Sequence, residues 1–217
     1  MYKKYIKRLL DILISLVGLI FLSPVILIVA ILVRIKIGSP VIFKQERPGK
    51  DGKIFRLYKF RSMSDKKDKN GKLLPDNERL TKFGRILRAT SLDELPELVN
   101  ILKGEMSLIG PRPLAVCYLP YYNEKEKHRH DVRPGLTGLA QINGRNTLNW
   151  EDRFAYDIEY VNNITFKSDL KILFKTFYKV IKKDGVVTRG SGKTIDFDEY
   201  RKNQLKNRGE QEWKKEY

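Results

Sequence analysis

Apolar residues fill one long stretch near the amino terminus, LLDILISLVGLIFLSPVILIVAILV from Leu9 to Val33. As a single helix it extends roughly 38 Å, enough to cross a bilayer core. After it the pattern changes to alternation. PVIFKQERPGKDGKIFRLYKFRSM alternates apolar and polar residues on either side of Pro-Gly and Asp-Gly, which predicts a β-hairpin near 41–62. SDKKDKNGKLLPDNER reads as a charged loop, and LTKFGRILRATS returns to helical spacing. Leu92, Leu95, Leu98, Val99 and Leu102 keep that period up to Gly104, a residue suited to a helix C-terminus. Further on, DLKILFKTFYKVIKK sets Lys171, Lys175, Lys179 and Lys183 four apart, opposite Leu170, Leu173, Phe177 and Ile181. Such an amphipathic helix either lies on anionic lipid or packs on the protein. The tail TIDFDEYRKNQLKNRGEQEWKKEY is charged and lacks apolar periodicity, compatible with disorder or a late helix.

Three details argue against a simple span at the amino terminus. Asp11 lies inside the apolar run, Ser23-Pro24 interrupts it, and both ends are basic, whereas a spanning helix prefers asymmetric flanks. Proline removes a helical hydrogen bond and clashes with the preceding turn. A bend there leaves two arms of about 14 to 21 Å, each too short to cross alone. The pattern therefore predicts a helix-break-helix that enters and leaves by one leaflet, with an ordinary kinked span as the alternative. The run is too long for a signal peptide and has no small-residue cleavage site before RIKIGSP. The expected fold is mainly α with a small β-hairpin. It divides into a re-entrant membrane hairpin at 1–36, a compact cytosolic or interfacial unit at 37–185 with amphipathic helices, and a charged tail at 186–217.

Charge narrows the class of partner. The formal net charge is +17 over 217 residues, with a pI near 9.8, which implies an anionic partner: nucleic acid, acidic headgroups or a phosphorylated substrate. Nucleic acid is disfavoured, since there is no zinc-finger spacing, RNP-like string or basic helix with dimer heptads. The single cysteine, Cys117, excludes an internal disulfide and is expected as a small core residue. His128 and His130 lack a third ligand nearby and read as structural or surface residues. SGKT at 191–194 is not a phosphate-binding loop, because the position of the required first glycine is Val187.

The candidate chemistry sits in RATSLDELPELVNILKGEMSLIGPRP, residues 88–113. Asp93 and Glu94 fall at a predicted helix start, where the positive end of the dipole favours ionised acids. Ser91 with Glu94 also matches a capping box, so the pair is either a cap or a reactive site, and local physics leaves both open. Lys82, Arg85 and Arg88 recur every three residues ahead of the pair. Arg112 is fixed between Pro111 and Pro113, a rigid mount for a guanidinium that can hold a phosphate through two parallel hydrogen bonds. RPGLTGLAQINGR at 133–145 is either a structural turn or a loop near a nucleotide, with Arg145 a further candidate contact.

Ser23-Pro24, VIFKQERPG, YKFRSM, SLDELPELVNILKGEMSLIGPRP and RHDVRPGLTGLAQINGRN together resemble the bacterial sugar transferase family, the monotopic polyprenyl-phosphate phosphoglycosyltransferases. The similarity covers about residues 1–185. It is greatest to the small stand-alone members that transfer a diacetylbacillosamine phosphate, because the extra amino-terminal helices of larger members are not matched here. The resemblance implies a UDP-sugar donor, undecaprenyl phosphate as acceptor and a site on the cytosolic face of the bacterial inner membrane. It implies that Asp93 is the nucleophile and Glu94 the partner acid that binds Mg²⁺. It further places Lys59, Arg88 and Arg112 at phosphate-contacting positions, and Ser23 and Pro24 at the break of a re-entrant helix.

Overall fold

The computed structural model describes residues 1–144, 147–182 and 195–207. Arg145, Lys183 and the segment 191–194 lie outside them. A π-helical turn (Tyr2–Ile6) leads into α1 (Lys7–Lys36), and the predicted hairpin forms from β1 (Ile42–Pro48) and β2 (Ile54–Phe60). The two strands are antiparallel, with Phe43 opposite Lys59. Two short helices follow, α2 (Asp76–Arg79) and α3 (Lys82–Ala89), and then a 3₁₀ turn (Leu92–Glu94) and α4 (Glu97–Lys103). The remainder comprises β3 (Ser107–Ile109), α5 (Glu124–Lys127), β4 (Gly135–Thr137), α6 (Leu139–Asn143), α7 (Trp150–Asn162), α8 (Phe166–Lys182) and α9 (Phe197–Asn207). Over the described residues the protein is mostly helical, with two small sheets.

One helix, α1, covers the whole apolar run. The helix continues through Pro24 where two arms were expected, and the Ser23 hydroxyl donates to the Ile20 carbonyl at 2.8 Å. By length and composition it could cross a membrane. Yet both ends are tied to the rest of the chain. Near the start, the Arg8 guanidinium donates to the Ile101 and Leu102 carbonyls at 2.6 and 2.9 Å in the last turn of α4, where the Ile101 carbonyl also accepts the Gly104 amide. The Asp11 carboxylate, buried, accepts the Leu108 amide at 3.0 Å. Near the other end, Val29 and Val33 are buried with Phe60 and Leu87. Between these anchors an apolar face is left uncovered, with Ile20, Phe21 and Leu27 all more than 60% exposed.

The main core joins Phe55 and Leu57 of the hairpin to Leu98 and Ile101 of α4, Leu108, Ile142, Tyr160 and Ile172. A second cluster is aromatic: Tyr118, Tyr122, Trp150, Phe154 and Phe197. Phe197 is fully buried there and the Tyr118 hydroxyl donates to Asp196 at 2.9 Å, so part of the charged tail is a docked helix. Cys117 is exposed, contrary to the expectation of a core residue; it sits in a one-sided 3₁₀ stretch (Val116–Tyr121) whose inward position is taken by Tyr118.

The sequence shows no sign of the second sheet, the parallel pairing of Ser107 with Gly135 and of Ile109 with Thr137. Strands of three residues are too short to impose a period. The glycines there serve backbone contact. A Cβ on Gly135 would lie 2.1 Å from the Gly110 amide nitrogen, and one on Gly138 would lie 2.2 Å from the Gly110 carbonyl oxygen. Gly135 and Gly138 are thus packed against the backbone at Gly110.

Candidate active site

The acid pair is placed by two backbone features. Ser91 adopts a left-handed conformation (φ 56°), which costs a non-glycine residue about 1–2 kcal/mol. It reverses the chain between α3 and the 3₁₀ turn. Pro96 then occupies the N-cap of α4, so the α-helix starts after the pair and not at it. Ser91 makes no capping hydrogen bond. Of the two readings the sequence left open, the capping box does not form, and the Glu94 carboxylate is turned elsewhere.

It is turned toward two cations. Lys59 Nζ lies 2.7 Å from Glu94 Oε1, and Arg112 Nη2 lies 2.5 Å from the same oxygen. Lys59 is shared with Glu97, whose Oε1 is 3.0 Å away. Arg88 donates through Nε to the Ser62 hydroxyl at 3.0 Å and lies within electrostatic reach of Asp93. The structure therefore brings together Asp93, Glu94, Lys59, Arg88 and Arg112, five of the residues named from sequence. Lys82 and Arg85 of the predicted stripe are exposed, and only Arg88 turns inward.

These cations divide the two acids electrically. Burial opposes ionisation of Glu94, but Arg112 and then Lys59 outweigh it and hold the carboxyl well below the usual range. Asp93 is buried and has no ion pair among the described residues, so burial, and then the charge on Glu94, push it up to about 6 despite Lys59, Arg88 and Arg112. Glu97, almost fully buried, is pushed up to about 7 by burial first, with Lys59 opposing. Both acids were expected to be ionised by a helix dipole; Glu94 is held ionised instead by Arg112 and Lys59. Desolvation dominates at Asp93, and the start of α4 lies beyond it.

Three supporting residues were not read from sequence. Glu97 lies one helical turn beyond Glu94, the spacing that could have marked it. Asn100 is fully buried; its side-chain oxygen accepts the Tyr58 amide at 3.0 Å and its nitrogen donates to the Arg56 carbonyl at 2.7 Å. That clamp fixes β2, and hence Lys59, against α4. Arg129 donates to the Arg112 carbonyl at 2.7 Å and pairs with buried Asp157 at 2.8 Å. It completes the mount of Arg112 that the two prolines begin.

Whether a magnesium ion suits the site turns on Glu94. Both of its cation contacts fall on Oε1, leaving Oε2 without a hydrogen-bond partner among the described residues. No group of three or more His, Cys, Asp or Glu is gathered for a metal among the described residues. Magnesium commonly binds through one or two carboxylates plus substrate phosphates and water, so a hard oxygen on Glu94 fits it.

A buried carboxyl with a raised pKa beside a deeply ionised one, ringed by Lys59, Arg88 and Arg112 and joined to an uncovered apolar helix, makes a site suited to phosphate esters at an apolar surface. The chain belongs to the bacterial sugar transferase family, whose profile matches residues 2–183, and it is a sugar-phosphate transferase. It is 55% identical over 181 residues to the uncharacterized sugar transferase EpsL of Bacillus subtilis (strain 168), covering 83% of this chain and 90% of that protein. It is 45% identical over 183 residues to the UDP-glucose:undecaprenyl-phosphate glucose-1-phosphate transferase of Klebsiella pneumoniae, covering 80% of this chain but 39% of that protein. With the exopolysaccharide production protein ExoY of Sinorhizobium fredii (strain NBRC 101917 / NGR234) it shares 40% over 187 residues, 78% of this chain and 83% of the relative.

Proposed function

We propose that the protein transfers a sugar phosphate from a UDP-sugar to undecaprenyl phosphate through an aspartyl phosphosugar on Asp93, at the cytosolic face of the bacterial inner membrane. The observation that carries this reading is the split environment of the acid pair: Glu94 is held by Lys59 and Arg112, while Asp93 is buried with no ion pair among the described residues and a raised pKa. A carboxylate free of a tight ion pair keeps its nucleophilic oxygen available. In the first half-reaction an Asp93 oxygen attacks the β-phosphorus, the bond from that phosphorus to the bridging oxygen breaks, and UMP leaves with the electron pair. In the second, a phosphate oxygen of undecaprenyl phosphate attacks the same phosphorus and Asp93 departs as a carboxylate. Lys59, Arg88 and Arg112 hold the donor's phosphates and offset charge that builds on the phosphoryl oxygens. Magnesium bound at Glu94 supplies further neutralisation of the diphosphate. Arg145 is a further phosphate contact in this scheme.

The membrane reading has independent support. Arg8 and Asp11 at one end of α1, and Val29 and Val33 at the other, hold both halves of the helix to the same unit. An arrangement with both ends on one face fits a re-entrant helix turning near Ser23-Pro24. On α8, Phe174 and Phe177 are 68% and 69% exposed and share a stripe with Phe166, Leu170 and Leu173. Two uncovered apolar faces seat the site at headgroup depth, where a polyprenyl phosphate keeps its tail in the bilayer.

For the sugar, the resemblance favours an N-acetylated amino sugar such as UDP-diacetylbacillosamine, opening glycoconjugate or protein-glycan assembly. The relatives named for glucose 1-phosphate transfer and exopolysaccharide production favour a hexose donor in exopolysaccharide or capsule synthesis. The test is incubation of purified protein with Mg²⁺, undecaprenyl phosphate and a panel of UDP-glucose, UDP-galactose, UDP-N-acetylglucosamine and UDP-diacetylbacillosamine, with UMP as the readout. Release with one donor, abolished by Asp93→Asn, is expected. No release with any donor, or release unchanged by the substitution, contradicts the reading.

A further inference from the structure

The end of α4 remote from the acid pair forms a second basic site. Arg8 takes the Ile101 and Leu102 carbonyls there, and Arg133 donates through Nε to the Gly104 carbonyl at 2.7 Å. These contacts fix two guanidiniums on one wall and leave several of their N–H groups free. A cavity of about 400 Å³ opens beside them, lined by Lys3, Lys4, Lys7, Arg8, Lys50 and Arg133. Lys7 is answered by Asp169 at 2.8 Å. The other five cations have no carboxylate in an ion pair among the described residues. The one acid in the lining, Asp11, is buried and occupied by the Leu108 amide.

A second observation points the same way. Ser107 lines the cavity, is 1% exposed, and its hydroxyl has no hydrogen-bond partner. A buried hydroxyl left unpaired costs about 1–3 kcal/mol. An oxygen-rich anion in the cavity would take that donor and offset the repulsion among the cations. The position specifies the anion further. Tyr2 beside the cavity packs its ring edge-on to Phe166 at 5.8 Å, and Phe166 begins the exposed apolar stripe of α8. The cavity therefore lies at the edge of the surface that the apolar faces define, and its volume exceeds what a lone small ion fills.

We propose that this cavity is a binding site for a phosphate ester, the headgroup of an anionic lipid, separate from the phosphates handled at Asp93. The seven residues of α4, roughly 10 Å of helix, stand between the two sites. A lipid held there would anchor the start of α1 against the unit that carries the acid pair.

The experiment uses the full chain in neutral detergent, titrated separately with dioctanoyl phosphatidylglycerol, dioctanoyl phosphatidylcholine and inorganic phosphate. Binding is read by native mass spectrometry and by the shift in thermal midpoint. The variants are Lys4→Glu/Lys50→Glu, Ser107→Ala, and Lys69→Glu as an exposed basic control in the loop before α2. Saturable binding of phosphatidylglycerol but not phosphatidylcholine is expected in the wild type and in Lys69→Glu. Each cation near an anionic headgroup contributes about fivefold to affinity, so the double reversal lowers it by about 25-fold or more. Ser107→Ala weakens binding while leaving the ligand-free midpoint unlowered. Saturable binding of inorganic phosphate, lost in the double variant, supports the phosphate site and assigns it to a soluble source. No saturable binding of either anion, or equal binding by the double variant and Lys69→Glu, overturns the proposal.

Discussion

Glu94 receives Lys59 and Arg112 on one oxygen, and of the acid pair that contact leaves Asp93 titrating near neutrality, as Glu97 also does behind it. Only the ionised carboxylate attacks phosphorus. Burial raises Asp93 to about 6, so kcat/KM for UMP release is expected to climb about tenfold per pH unit below that value and level off above it. A pH–rate profile checks this; a rate independent of pH between about 5 and 7 speaks against Asp93 as the attacking group. Arg112→Met removes the main cation holding Glu94 and a phosphate contact at once, and is expected to lower kcat/KM by about 100-fold or more, with Arg112→Lys recovering only part. Much of this constellation was legible in sequence. Asp93, Glu94 and Arg112 stand in one short segment flanked by prolines, and the family resemblance added Lys59 and Arg88. Glu97, Asn100 and Arg129 were not, because their roles depend on which strand and which loop meet α4. No local pattern reports such a meeting.

The elements were predicted more securely than their ends. The hairpin, α3, α8 and the helix after the acid pair follow from alternation and helical period, whereas the start of α4 is displaced by Pro96 and the parallel pair β3–β4 is too short to show. Two contacts between elements carry testable weight. Asp11, which looked like an intruder in an apolar helix, satisfies the Leu108 amide and ties α1 to β3. Asp11→Ala leaves that amide buried and unpaired, costing about 1–3 kcal/mol, while Asp11→Asn keeps an acceptor and most of the stability. Chemical denaturation of the detergent-solubilised protein measures both. At Gly84 of α3, an added Cβ would lie 1.8 Å from the Ser62 carbonyl oxygen. Gly84→Ala is expected to push α3 away, cost about 1–3 kcal/mol, and pull Arg88 from the Ser62 hydroxyl that positions it.

At the scale of the whole molecule, α1 and α8 carry two uncovered apolar faces and the chain a charge of +17, which on the proposed function would set the active site beside a membrane without burying it. Phe174→Ser/Phe177→Ser removes the most exposed aromatics of α8 and is expected to reduce sedimentation with anionic vesicles while leaving the thermal midpoint unchanged. Cysteines introduced at Lys4 and Lys36, in a Cys117→Ser background, are expected to react with an impermeant thiol reagent from the same side of a sealed vesicle. Reaction from opposite sides contradicts a re-entrant α1. These properties matter because the reaction is proposed in two halves, with a soluble donor first and a lipid acceptor second. The first half can be isolated. Incubating the protein with its UDP-sugar and Mg²⁺, without undecaprenyl phosphate, and recording intact mass together with UMP tests the central claim most directly. The account predicts one equivalent of UMP and a mass gain of one phosphosugar, both lost in Asp93→Asn and both discharged by adding the lipid acceptor. UMP release that requires the acceptor from the outset, with no adduct on the protein, would contradict it.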